Sequence, residues 1–473
     1  MRMQRIWKMN RWVLALSIVL LLAACGTSNS TDPSSESAAS TNGENADAPA
    51  NAGKQEEVTL TYATWGSPNE KKVQEEMAKK FTELHPHIKI KYMHIPGDYV
   101  TKLTTMFAGN NAPDVFPLYK TQTLQWAEQG KLYNLNDFLA SDPDLNKDSL
   151  IPNAIMYWDQ DKVAGIKVAE EAFALFYNAD MFTEAGVELP PTSAEQAWTW
   201  DEFLDTAKKL TIDNKGNNAL SAEFDPANIQ QYGVRFNTWM WHLMVPSNNT
   251  SVIAPGGDKL NLEDPAVIEA VQKLADLVHV HHVAPSTTQE KNMPSPAIAL
   301  QSKKVAMDLD GQWVQLDLGA AKVNYGVGVL PKLKESKTIL FGEPEVMSAT
   351  TKHPEEAWMF YKFLLNAESG LEMHSSGLWM PVMRDWYTQP DLIAKWAEVK
   401  PGHQDGFKDA VMRQTLENGE NSFDYYLKNS DKINAILTPA LDQVWLGKKS
   451  VEQAFKEVSA KANAEFKGTY PKG

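Results

Sequence analysis

Apolar and polar residues alternate at Val58, Leu60 and Tyr62, the period-two pattern of a half-buried strand. Gly66-Ser67-Pro68-Asn69 reads as a turn. From about Glu70 to Leu84 the apolar residues Val73, Met77, Phe81 and Leu84 share one helical face, and His85-Pro86 stops the helix. Ile88, Ile90 and Tyr92 alternate again. Strand, helix and strand in that order make a β-α-β unit, which predicts a parallel sheet with helical cover. Trp65 and Asn69 then fall at the C-terminal end of the first strand, the edge at which open α/β sheets bind ligands.

The patterning continues along the chain. Asn111 to Phe116 predicts a short buried strand after a turn, and a helix from Leu124 closes at Gly130. Val168 to Asn178 is apolar apart from Glu170 and Glu171 and reads as a strand. Thr199 and Glu202 form a capping box that opens a helix to Leu210. Asp264-Pro265, an N-cap followed by proline at the first helical position, opens another to about Val280. Lys304 to Leu309 and Tyr325 to Leu330 predict strands. Pro354 to Asn366 predicts a helix with Trp358, Phe360, Tyr361 and Leu364 turned inward, and Ser450 with Gln453 caps the last helix. No internal repeat is present. Strands and helices alternate through both halves, which favours α/β lobes.

The first 24 residues carry a different pattern. Arg2, Arg5, Lys8 and Arg11 precede an apolar run from Trp12 to Ala24, the anatomy of a secretory signal and too short for a spanning helix. The run ends in Leu22-Ala23-Ala24-Cys25, and Cys25 is the only cysteine of the chain. This stretch resembles a bacterial lipobox, which implies that Cys25 is acylated, with palmitate or a similar chain, and becomes the mature N-terminus. A lone exported cysteine has no internal disulfide partner. Residues 26–54 hold no aromatic residue and no Ile, Leu, Val or Met, so they have nothing to bury and read as a disordered tether spanning roughly 30 Å. The expected organisation is therefore signal peptide 1–24, anchor and linker 25–56, and folded body beyond. The chain carries a net charge of −15, and losing the signal makes it more acidic, which disfavours nucleic acid as a partner.

Five places carry a family resemblance. They are Trp65-Gly66-Ser67, then Ala108 to Phe116, then Asn178 to Gly186 with Thr199 to Phe203. The fourth is Lys304 to Trp313 followed by Asn324 to Pro331, and the fifth is Ala357 to Leu365 followed by Gly377 to Val382. In this order, behind a lipobox, they resemble the family 1 extracellular solute-binding proteins of ABC importers, the maltose-binding-protein-like group. The resemblance runs from about Val58 to the C-terminus. It implies an α/β chain with the two-lobed, type II periplasmic-binding-protein-like fold and a ligand cleft between the lobes. By position, the first lobe takes 57–167 and 331–376, and the second takes 168–330 and 377–473. It also implies a monomer that binds a carbohydrate, meets importer permease subunits, and sits on the outer face of the cell membrane through its lipid. No cofactor and no metal are implied.

The resemblance makes Trp313 the foremost ligand residue, because one face of a pyranose is a sheet of C–H bonds that lies flat on an indole. Trp239-Met-Trp241 alternates with period two, so both rings share one face if the segment is extended; a second stacking wall and a core strip fit this equally. Trp65 and Trp379 fall at loop mouths, which favours the cleft. Trp158, Trp198, Trp200, Trp358 and Trp445 read as packing. Asp114 matches a family aspartate at the cleft floor, or serves as a turn cap after Pro113. Tyr119 and Lys120 lie where relatives place ligand contacts. Gly342-Glu343 stands where many relatives have two glycines, and these departures point away from maltose itself.

Other chemistry is weakly supported. Asp142 to Asp148 resembles the start of a calcium loop, but Lys147 stands at the glycine position and Asn153 at the final glutamate. His279, His281 and His282 follow a helix end and suit its dipole. HExxH, GxSxG and GxxxxGK[ST] are all missing. The alternatives to sugar capture are an exported glycoside hydrolase, which needs two carboxyl groups facing across a cleft, and a binding protein for a non-sugar solute. Asp308 and Asp310, two apart, point the same way along a strand, poor geometry for flanking a bond.

Overall fold

The computed structural model describes residues 56–151 and 154–471. The signal segment, Cys25 and the linker up to residue 55 lie outside the described residues. Two mixed sheets organise the chain. In chain order the strands are β1 (Val58–Thr64), β2 (Ile88–His94), β3 (Val115–Pro117), β4 (Ile155–Asp159) and β5 (Lys162–Lys167). Then come β6 (Glu171–Asn178), β7 (Ile212–Asp213), β8 (Ile229–Phe236), β9 (Val305–Gly311), β10 (Tyr325–Gly328) and β11 (Thr338–Phe341). β12 (Pro344–Met347) and β13 (Gly419–Asn421) complete the set. The first sheet runs β2-β1-β3-β12-β5-β4, and the second runs β13-β11-β6-β9-β8-β7 with β10 on β6.

The β-α-β unit is present, with β1 parallel to β2 and to β3. Its helix, Pro68–Leu84, starts two residues earlier than expected because Ser67 and Glu70 form a reciprocal capping box and Pro68 fits the first turn. Val73, Met77 and Phe81 are buried, while Leu84 at the frayed end is exposed. The expectation of parallel sheets holds only locally. β12 lies antiparallel between β3 and β5, and β6 lies antiparallel to β9, β10 and β11. The expected strand over 168–178 is shorter than its apolar run. β5 ends at Lys167 in the first sheet and β6 begins at Glu171 in the second, so Val168 to Glu170 is a crossing. The return crossing is Gly342-Glu343, later than residue 331, because β11 is paired to β6 and only β12 joins the first sheet. Gly342 has a positive φ of 107°, and a Cβ there would meet the Ala169 carbonyl at 2.3 Å, so the two crossings touch at a position only glycine suits.

A buried ion pair ties these crossings. Lys167, with no exposed surface, places Nζ 3.2 and 3.1 Å from the two carboxylate oxygens of Glu170 and 3.0 Å from the Phe341 carbonyl. Its Nζ also sits 4.7 Å from the Tyr425 ring centroid. Glu170 exchanges backbone hydrogen bonds of 3.0 and 3.1 Å with Met380. One residue pair thus joins the first crossing to the second through Phe341 and to a third segment through Met380. Burial pushes the Glu170 carboxyl up, and Lys167 opposes that.

Removing the cation alone strands a carboxylate in a dry site. Lys167→Met is expected to lower unfolding stability by ~3–5 kcal/mol, with Glu170→Gln in the same chain recovering part of the loss. Urea unfolding checks this, and wild-type stability in the single variant would show that the pair holds nothing.

Candidate functional site

A cavity of about 680 Å³ lies where the two sheets meet, lined from both sides and floored by the crossings. The first side supplies Trp65, Glu70 and Tyr119; the second supplies Glu171, Trp239, His242 and Trp313; Ala169, Phe341 and Glu343 come from in or beside the crossings. That volume and mixture of aromatic and polar walls suit a small-molecule site.

Trp65 ends β1 and is followed by Gly66, whose φ of 107° turns the chain into the capped helix. A Cβ at Gly66 would overlap the Glu70 carboxylate, so this glycine lets Glu70 fold back against the cavity. Trp65 stacks on Tyr119 with centroids 4.9 Å apart and planes 27° apart, and meets Tyr99 edge-on at 4.9 Å. Tyr99 is itself locked by hydroxyl bonds to the Ala63 and Pro117 carbonyls. The Trp65–Tyr119 stack is therefore a rigid wall.

The facing wall is set by glycine packing. Trp313 follows β9 after Gly311 and Gln312, and a Cβ on Gly311 would lie 2.1 Å from the indole. Phe173 of β6 backs the ring edge-on at 5.4 Å. Trp239 is half exposed, at 52%, yet its ring is braced edge-on by Phe173 and Phe341 at 5.9 and 5.6 Å. Trp379 lines the cavity from just beyond Gly377. Indoles from both sides thus border one space.

Charge is arranged around Lys120. It opens the helix Lys120–Glu128, its backbone N–H donates to Glu343 at 2.6 Å, and its Nζ lies 3.5 Å above Phe341 and 3.7 Å from Asp424. Burial pushes the Glu343 carboxyl up, opposed by Lys120. Burial also raises Asp424, but Lys120, His242 and the Ser422 hydroxyl together hold it below its ordinary value. His242, bonded to Ser422 at 2.9 Å, is pushed down to about 4 by burial, which keeps it neutral. Glu171 is raised to about 8, first by burial and then by Glu343, Glu70 and Glu170. At neutral pH its carboxyl keeps the proton and can donate a hydrogen bond.

Trp65, Tyr119, Lys120, Trp239, Trp313, Glu343 and Trp379 all line the cavity, as anticipated positions for a ligand. Three expected positions do not. Asn69 lies in the first turn of its helix, where its side chain donates to Asp317 at 2.7 Å, beside a Ser67 hydroxyl that donates to the same oxygen at 3.2 Å. Asp114 accepts from the Thr61 N–H at 2.8 Å and the Thr351 hydroxyl at 2.7 Å, so it staples β1 to the loop after β12 instead of facing a ligand. Trp241 is buried against Phe423 and Phe455, because residues Thr238–Met240 form a 3₁₀ turn and the two indoles no longer share a face. Of the tryptophans read as packing, Trp200, Trp358 and Trp445 are buried.

Sequence reasoning missed Glu70, Glu171, His242, Phe341 and Asp424. Glu171 had left a signal, an acid inside an apolar run; Glu70 had left one as the third residue of a capping box. Asp424 and His242 had none. The suspected calcium loop is internally satisfied, with Asp142 accepting from Trp358, Lys362 and two backbone N–H groups. Among the described residues no cluster of His, Cys, Asp and Glu is arranged to hold a metal, and no helix is long and apolar enough to cross a membrane.

Residues 65–370 match the family model of the bacterial extracellular solute-binding proteins. The multiple sugar-binding protein of Streptococcus mutans is 24% identical over 338 residues, covering 68% of this chain and 74% of its own. The sn-glycerol-3-phosphate-binding periplasmic protein UgpB of Escherichia coli K12 is 23% identical over 411 residues, covering 82% and 87%. Among solved structures, an ABC substrate-binding protein of Listeria monocytogenes in complex with cycloalternan superposes with a TM-score of 0.74 at 23% identity, covering 86% of this chain and 99% of that one. The fold is that of the type II, maltose-binding-protein-like solute receptors.

The protonated Glu171 sets a pH dependence. Its folded value lies above the ordinary 4.5, so the stability owed to holding that proton is complete below 4.5 and is lost as pH rises to about 8. Glu171→Gln is expected to flatten the fall in unfolding free energy over that interval. Chemical unfolding across the range tests this, and an unchanged slope would mean that Glu171 titrates normally.

Proposed function

The chain belongs to the bacterial extracellular solute-binding proteins, and from that membership we propose that it captures a carbohydrate outside the cell and passes it unaltered to the permease of an ABC importer. The observation that carries the proposal is that indoles from both sides line one cavity. Trp65 on its Tyr119 stack faces a space shared with Trp313, Trp239 and Trp379. A sugar ring offers flat C–H faces to such walls and hydroxyls to Glu70, Glu171, Glu343 and Lys120 between them. The sugar in the name of the Streptococcus relative agrees with this. The phosphate in the name of the Escherichia relative does not transfer, because Glu70, Glu171, Glu343 and Asp424 outnumber the single lining lysine. Family members are binding proteins, which removes the hydrolase alternative.

Capture works by closure of two lobes, taken as 57–167 with 342–376 and 168–341 with 377–473. A ligand touching both walls shifts the population toward the closed form. Asp317, accepting from Ser67 and Asn69 across the lobe boundary, favours the same arrangement without entering the cavity. The protein acts as a monomer, held on the outer face of the membrane by acylated Cys25 and the tether that follows.

A thermal-shift screen over a carbohydrate panel, with chromatography of the sugars afterwards, tests the reading: a raised melting temperature with intact sugar supports it, and no response to any sugar sinks it. Trp313→Ala is expected to weaken sugar binding by at least ~1 kcal/mol in calorimetry, the scale of one good aromatic contact. Equal affinity would remove this indole from the contact. Cys25→Ser is expected to move the protein from the membrane fraction to the medium, and a variant that stays with membranes would refute acyl anchoring.

A further inference from the structure

Trp239 lines two cavities. Besides the cleft, it borders a second space of about 520 Å³. This one is built from the second side alone: the end of β8, the turn after it, the short helix Thr287–Glu290, and the C-terminal end of the helix Ser430–Trp445. Its lining includes Phe236 and Trp445, packed edge-to-face at 6.0 Å. Around these aromatic rings stand Thr287, Lys291, Asp442 and Gln443, which present a hydroxyl, an ammonium, a carboxylate and an amide. Glu290 is aimed by Arg235, whose Nε donates to it at 2.8 Å. Aromatic rings with hydrogen-bonding groups around them are the same composition as the cleft.

The two spaces share this one indole as lining. Trp239 is half exposed, and its ring is held by Phe173 and Phe341 behind it, so it is a fixed ridge and not a gate. A single pyranose in the cleft would leave the second space and much of that indole uncovered. We propose that the ligand is an oligosaccharide that runs from the cleft across Trp239 into the second cavity, an inference that rests on the carbohydrate reading above. Because the second cavity belongs to one lobe, contacts there add affinity whether or not the lobes are closed. They lengthen residence and admit long chains in preference to short ones.

Calorimetry with the full-length mature protein tests this, using maltodextrin, cellodextrin, xylo-oligosaccharide and β-1,4-galacto-oligosaccharide series from the monosaccharide to about six residues. In at least one series Kd should fall about tenfold or more as the chain lengthens and then level off. Thr287→Trp, which fills the second cavity, should cause a loss that grows with chain length. Asp442→Ala with Gln443→Ala is the companion variant should the tryptophan disturb folding, which thermal unfolding reports. A Kd that is flat with length, or a loss of equal size for short and long chains, overturns the second cavity while leaving sugar capture intact. Failure of every chain of every length to bind overturns the carbohydrate reading itself, and this inference with it.

Discussion

The Lys167–Glu170 pair is the constraint on which the rest depends. A charge pair with no solvent is costly unless its geometry is satisfied, and here the ammonium's third partner, the Phe341 carbonyl, lies in another crossing. The Phe341 carbonyl draws in the second crossing, and the Met380 backbone draws in a third segment. Those same segments carry Glu171, Phe341, Glu343 and Trp379 at the edge of the cavity. The floor of the site is therefore positioned by an interaction between residues that do not line the cavity, and the walls are free to be set by each lobe separately.

Those walls show how an acidic site can be kept from repelling itself. Four carboxyl groups border the cavity with one lining lysine among them. Lys120 answers two of them, Glu343 through its backbone N–H and Asp424 through its ammonium. Glu171 is answered by no cation of its own among its lowering influences except distant Lys167, and it keeps its proton instead. The outcome is a site that offers acceptors at Glu343 and Asp424 and a donor at Glu171, a mixture that matches hydroxyl groups, which are both. His242, neutral through burial, adds no charge to that balance.

What was legible in the sequence follows from how local each signal is. The helix ending at Leu84 and the strand pair around it are read from spacing within about 20 residues and form as expected, except that a capping box at Ser67 and Glu70 starts the helix two residues earlier. Trp65 and Trp313 were legible as cavity-lining residues because each follows a strand close to a glycine whose missing side chain makes room for a ring or carboxylate. Asp114 and Trp241 looked equally suitable but do not line the cavity, since their partners, Thr351 and Phe455, lie far away in sequence. The two indoles around Met240 diverge because a 3₁₀ turn replaced the extended segment that alternation suggested.

By itself, then, the amino-acid order determined the elements, the lobed α/β class, and the aromatic character of the site, because propensity, capping and periodicity act between near neighbours. Only the tertiary structure decided where the chain leaves one sheet for the other, since the apolar run over 168–178 reads alike whether it is one strand or a crossing followed by a strand. It also decided which acids face the cavity, because Asp424 meets Lys120 across some 300 residues and Glu171 acquires its proton only when burial and three other carboxyls surround it. Desolvation and long-range charge have no period along a chain, and so they leave no pattern in it to read.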